Sequence, residues 1–208
     1  MSDCDCSIEI KDKSQNDVLI KLLVINALMF VVELSIGWYA QSTGLIADAM
    51  DMLADAIVYG IGLYAVGKAI TQKAKAALIS GWFQLILGIL ILSDILRRII
   101  IGSEPASLLM IVVGFMALLA NIICLKLIEE HRHGEVHMRA SWIFSKNDVI
   151  ANTGVILGGI LVWLLDSRWP DIVIGFLISV VILRGAKHIM QDERQELIVF
   201  LKCPKLGE

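Results

Sequence analysis

The sequence carries little net charge. Eighteen Lys and Arg stand against 21 Asp and Glu, leaving −3 over 208 residues. A nucleic-acid-binding surface needs a basic excess, so no nucleic-acid partner is implied. Four cysteines, Cys4, Cys6, Cys124 and Cys203, make no disulfide framework. There is no Ser-His-Asp set, no H-E-x-x-H and no phosphate-binding glycine loop. No covalent chemistry is therefore expected, and no resident cofactor. A metal-dependent hydrolase within the membrane would need a histidine at a span centre to hold an activated water, and none is there. The opening residues, MSDCDCSIEIKDK, lack the basic and apolar regions of a secretory signal. The first apolar run is expected to remain in the protein.

Apolar sequence is what the chain has in excess. Hydrophobic residues make up 57%, against roughly 45–50% in a soluble domain. Six runs are long enough to cross a bilayer, which takes roughly 20 residues. They begin near Val18, Thr43, Ala76, Ser107, Ser141 and Ile172. Because open strands cannot face lipid, an all-α integral membrane protein with six transmembrane helices is predicted. The short links "AQS", "GSEP" and "DSRWPD" make neighbouring helices antiparallel. Residues 17–190 form the predicted membrane domain, with tails at 1–16 and 191–208. Lys11, Lys13, Lys21, Lys68, Lys73, Lys75, Lys126, Arg132, Arg139 and Arg184 fall on one side, while Arg97, Arg98 and Arg168 fall on the other. The basic side faces the cytoplasm, so both termini are predicted cytoplasmic. Trp38, Trp163 and Trp169 near the opposite face, and Trp82 and Trp142 nearer the cytoplasm, read as interfacial anchors. The compact chain suggests a bacterial inner membrane.

The segment DAMDMLADAIV places Asp48, Asp51 and Asp55 inside the second run. Asp51 and Asp55 are one helical turn apart on one face. Asp148 lies in the fifth run, in FSKNDVIANTGVI. Charges within a span are costly and mark ion pathways unless they serve packing. Nothing basic lies mid-helix to neutralise these four, and Lys146 is on another face from Asp148. Asp51, Asp55 and Asp148 could converge from two helices, whereas Asp48 could equally serve a structural role. Carboxylates packed together in low dielectric repel, so protons or a divalent cation must neutralise them. Metal and protons then compete for the same oxygens, as metal–proton exchange requires.

With these residues the sequence resembles the cation diffusion facilitator family of divalent-metal transporters, over nearly the whole chain. FVVELSIGWYAQSTGLIADAMDMLADAIVYGIGLYA is similar to the family signature, through Glu33, Ala47-Asp48, and Asp51 with Asp55. NDVIANTGVIL matches the stretch that begins at the family's metal-binding Asp, here Asp148. The resemblance implies six helices with cytoplasmic termini, a homodimer, and Asp51, Asp55 and Asp148 as metal ligands. Two departures stand out. Where the family places His or Asp four residues before that Asp, this chain has Phe144. Ser145, Asn147, Asn152 or water could provide the fourth ligand. An all-oxygen shell is harder than the family's Asp/His set, so Mn, Fe, Co or Cd should gain relative to Zn. The family's C-terminal ferredoxin-like domain is also not expected, since only QDERQELIVFLKCPKLGE follows the sixth run. Within that tail, ELIVFL could be a pairing strand or a turn of interfacial helix.

Other groups are less committed. Cys4 and Cys6 could chelate a soft metal or be incidental thiols in a loose tail. His131, His133 and His137 could form a weak loading site or a solvated loop. Asp94 is spaced to pair with Arg97 and Arg98, and Cys124 reads as a small hydrophobe. Glu33 could partner the site or lie on an exit route. The expected function is export of a divalent transition metal such as zinc across the lipid bilayer, in exchange for protons, by alternating access. The alternative is a non-transporting assembly or metal-sensing subunit whose acidic residues fix helix packing.

Overall fold

A computed structural model describes residues 3–65, 70–130 and 136–202. Side chains are described from Asn16 to Gln191, except for 65–77, 80, 131–141, 143, 144, 188 and 189. The described residues form six helices and no strand: α1 Asp3–Tyr39, α2 Thr43–Ala65, α3 Ile70–Ile101, α4 Ser107–Glu129, α5 Val136–Leu165 and α6 Trp169–Lys202. The all-α expectation is met. The outer helices are longer than their apolar runs. α1 starts at Asp3 because Glu, Lys and Gln favour helix and no glycine or proline interrupts it before Gly37. For the same reason α6 continues through the charged stretch to Lys202, and ELIVFL is helical, not a strand.

Three links gather at one end of the bundle. Ala106 donates its N–H to the carbonyl of Ala40 at 2.9 Å, which joins the α3–α4 link to the α1–α2 link. Gln41 adopts left-handed backbone, with φ +50°, a strained conformation for a residue with a side chain. Arg98 holds it by donating to the Gln41 carbonyl, while its Nε contacts Asp94 Oδ2 at 2.5 Å. Arg97 adds a second bond to Asp94, at 2.6 Å. The ion pairs expected for Asp94 are thus present, and they brace a turn. The α5–α6 link reaches the same end, where Asp171 of α6 bonds the start of α2. Consecutive helices therefore alternate in direction.

Apolar side chains divide into two cores. Near the links, Leu45, Ile91, Met110, Val113, Val155 and Ile182 pack together. Toward the far end, Leu19, Leu22, Tyr59, Cys124 and Ile128 form a second cluster, with Trp142 against it. Trp142 is thus partly buried in packing and Lys146 lies over its ring, unlike the exposed Trp38, Trp163 and Trp169. Cys124 packs as expected. Large apolar residues such as Leu28, Val31, Ile86, Phe115, Leu161 and Phe176 face outward, as in a protein solvated by lipid. Among the described residues, α1, α4, α5 and α6 each contain a stretch long and apolar enough to cross a membrane unaided. The chain is a multi-pass membrane protein. α2 does not qualify alone, and its three aspartates explain why.

The approach of α6 to α2 depends on Gly175. A Cβ there would lie 2.6 Å from Thr43 Cγ2 and 3.0 Å from the Thr43 carbonyl oxygen. Gly154 has room, with Ile174 Cδ1 its nearest neighbour at 3.7 Å. Gly175→Ala is therefore expected to cost about 2 kcal/mol of stability through overpacking, and Gly154→Ala far less. Unfolding of the purified variants in detergent, compared with the parent, checks the difference.

Candidate metal-ion site

α2 is the innermost helix, packing against each of the other five. Residues 42–49 are all buried. Asp48, and Asp55 further along, are buried and so kept from lipid, where an unpaired charge is most costly. Asp148 is brought opposite Asp55 by α5. Both are buried, and their carboxyls meet side chain to side chain. Oδ2 of Asp148 has no hydrogen-bond donor. Tyr59, one turn beyond Asp55, donates its hydroxyl to Asp55 Oδ2 at 3.2 Å. The same hydroxyl lies 3.2 Å from Ser145 Oγ. A phenol has one proton, so Tyr59 gives it to Asp55 and accepts one from Ser145.

Asp51 is less enclosed. It borders a cavity of about 320 Å³ between α5 and α6, whose wall includes Asn147, Ala151, Gly154, Ile174 and Ile178. It also lies within electrostatic reach of Asp55 and Asp148. The structure therefore brings Asp55 and Asp148 together and sets Asp51 beside them, facing the cavity. Among the described residues, no three His, Cys, Asp or Glu side chains stand close enough together to hold an ion between them. Asp48 turns elsewhere. Its carboxyl meets that of Glu33 on α1, and both residues are fully buried. Neither oxygen of Glu33 finds a donor, nor does Oδ2 of Asp48.

Of the fourth-ligand candidates, Ser145 is buried against the Tyr59 hydroxyl and Asn147 is exposed on the cavity wall. Asn152 is buried and donates Nδ2 to the Asp148 carbonyl at 2.9 Å. The side chains of Phe144, Cys4, Cys6, Cys203, His131, His133 and His137 lie outside the described residues.

Sequence reasoning passed over Tyr59 and Asp171. Tyr59 continues the i, i+4 row from Asp51 and Asp55, a signal that was available. Asp171 is fully buried and binds the first turn of α2. It accepts from Ser42 Oγ at 2.6 Å, Thr43 N–H at 2.6 Å and Gly44 N–H at 2.8 Å. In sequence it is an ordinary acidic residue in the first turn of a helix.

The cation efflux transmembrane domain matches residues 19–198. The chain belongs to the cation efflux, or cation diffusion facilitator, family of metal transporters. It is 26% identical to the zinc transporter ZitB of Yersinia pestis over 200 residues, 89% of this chain and 64% of that protein. It is 24% identical to the cadmium, cobalt and zinc/H(+)-K(+) antiporter of Bacillus velezensis over 190 residues, 84% of this chain and 60% of that protein. It is 29% identical to the vacuolar zinc transporter ZRC1 of Saccharomyces cerevisiae over 136 residues, 57% of this chain and 30% of that protein. The chain thus spans somewhat under two thirds of the length of these bacterial relatives.

Proposed function

We propose that this family member exports a divalent transition metal from the cytoplasm in exchange for protons, with Asp51, Asp55 and Asp148 holding the metal and the protons in turn. The observation that carries the reading is the opposition of Asp55 and Asp148 between two helices, with Asp51 beside them. Among the described residues no Lys or Arg forms an ion pair with any of the three, unlike Asp94, which pairs with Arg97 and Arg98. Facing carboxyls without a cation need protons to coexist. A metal that enters displaces them, and their return on the far side releases the metal. The names of the relatives, zinc transporters and a cadmium, cobalt and zinc/H(+)-K(+) antiporter, support the substrate class and the proton coupling.

In this reading the bundle has six spans, with both termini cytoplasmic, in a bacterial inner membrane, and works as a homodimer. Asp51 borders the cavity between α5 and α6. The braced links around Gln41 close one end of the bundle, and alternating access opens it. Oxygen-only ligation broadens the substrate range toward Mn, Fe, Co and Cd.

The test uses purified protein in sealed vesicles with an acidic interior. Zinc, cadmium and manganese are expected to accumulate, and an ionophore that collapses the pH gradient is expected to abolish accumulation above equilibrium. Accumulation indifferent to the gradient removes proton exchange. No movement of any of these metals leaves the packing-subunit reading.

A further inference from the structure

We propose that Asn152 supplies the fourth oxygen to the transported ion, through its side-chain carbonyl. The inference rests on the reading of Asp51, Asp55 and Asp148 as the other ligands. Those three leave a four-coordinate ion one ligand short, and Phe144 stands where the resembling family offers its fourth. Ser145 lies against Tyr59, one turn from Asp148 on the side away from Asp51, and Asn147 is exposed.

Asn152 differs from both. It is fully buried, and its Nδ2 donates to the Asp148 carbonyl at 2.9 Å. Only the nitrogen end of an amide can donate to a carbonyl, so that bond fixes which end is which. Oδ1 is therefore the end left free, and it is buried with no hydrogen-bond partner. A buried acceptor without a donor is costly, and a cation satisfies it.

Helix geometry places this oxygen on the correct side. Asn152 follows Asp148 by one turn on α5, as Asp51 precedes Asp55 by one turn on α2. The two helices run in opposite directions. With Asp55 facing Asp148, Asp51 and Asn152 are each displaced by one turn toward the same end, the end of the links. Helix geometry thus sets Asp51 and Asn152 on the same side of the Asp55–Asp148 pair. The amide oxygen is neutral and hard, so it adds a ligand without adding a fourth repelling charge. Such a donor suits manganese better than imidazole does, whereas imidazole suits zinc.

The test measures zinc and manganese uptake rates against concentration in vesicles, together with binding of each metal to the purified protein. Asn152→Ala is expected to raise KM for both metals roughly tenfold. Asn152→His is expected to bind zinc well and to shift the zinc-to-manganese preference toward zinc by roughly tenfold. A residue that only packs cannot produce that change in preference. The inference falls if N152A keeps the parent KM for both metals, or if N152H alters both metals equally. Should N152A not fold, N152H decides alone. If D55N and D148N still bind metal, the underlying site reading has failed. If they lose binding while N152A does not, only the role of Asn152 has failed.

Discussion

If the proposed exchange runs through Asp148, Asp148→Asn is expected to end it and to leave the protein as stable as before, or more so. Asn has nearly the same volume as Asp but cannot bind a metal as an anion or carry the exchanged proton. Loss of a ligand should weaken metal binding by about 100-fold or more, since even groups that only support ligands are worth about 10–100-fold. Stability should move the other way. Asp148 faces Asp55, and one of its oxygens has no donor. An amide in its place gives Asp55 a neutral donor where a second carboxyl stood, which is worth about 1 kcal/mol. Vesicle uptake and detergent unfolding of the same preparation check both halves. If the acidic residues served packing alone, D148N would lower stability and there would be no exchange to lose.

Asp171→Ala is expected to do the reverse and destabilise first. Asp171 takes three hydrogen bonds from the Ser42–Gly44 turn, and Ser42 Oγ in turn accepts the Leu45 N–H at 3.1 Å. Its removal orphans two buried backbone donors at the start of the helix that carries Asp51 and Asp55. Hydrogen bonds to a charged acceptor contribute about 1.5–3 kcal/mol each. They act as a unit here, so the expected loss is about 3 kcal/mol. Asp171→Asn should fall between parent and Ala, because Oδ1 serves two donors while its NH₂ would meet the Thr43 N–H. Stability and transport should decline together in both variants. A D171A protein that unfolds like the parent would show that water or a rearranged turn caps α2 equally well.

The two variants mark the limit of what could be read in sequence. Asp148 stood out because a carboxylate inside a long apolar run is conspicuous wherever it points. Asp171 sits two residues after a tryptophan at the edge of such a run, where acidic residues are common. Only the meeting of α6 with the α1–α2 turn gives it work. Glu33 and Asp48 were each visible, yet nothing in their spacing indicated that they face each other. Asp51 was grouped with Asp55 by the i, i+4 rule. The rule puts them on one face without saying that Asp51 borders a cavity while Asp55 is enclosed. Tyr59 obeys the same rule, yet an aromatic on an apolar helix reads as packing.

The sequence by itself determined the lipid solvent, the helices, their alternating direction and the helices that carry buried charge. These follow from local facts: run length, polarity and link length, each decided by the cost of exposing backbone or charge to hydrocarbon. The tertiary structure alone decided which charges share a space. Opposition of Asp55 to Asp148, of Asp48 to Glu33, and of Asp171 to the α2 start depends on how helices rotate and slide against one another. That is set by many small contacts, such as the close seat of Gly175 on Thr43, and no single stretch of sequence encodes it.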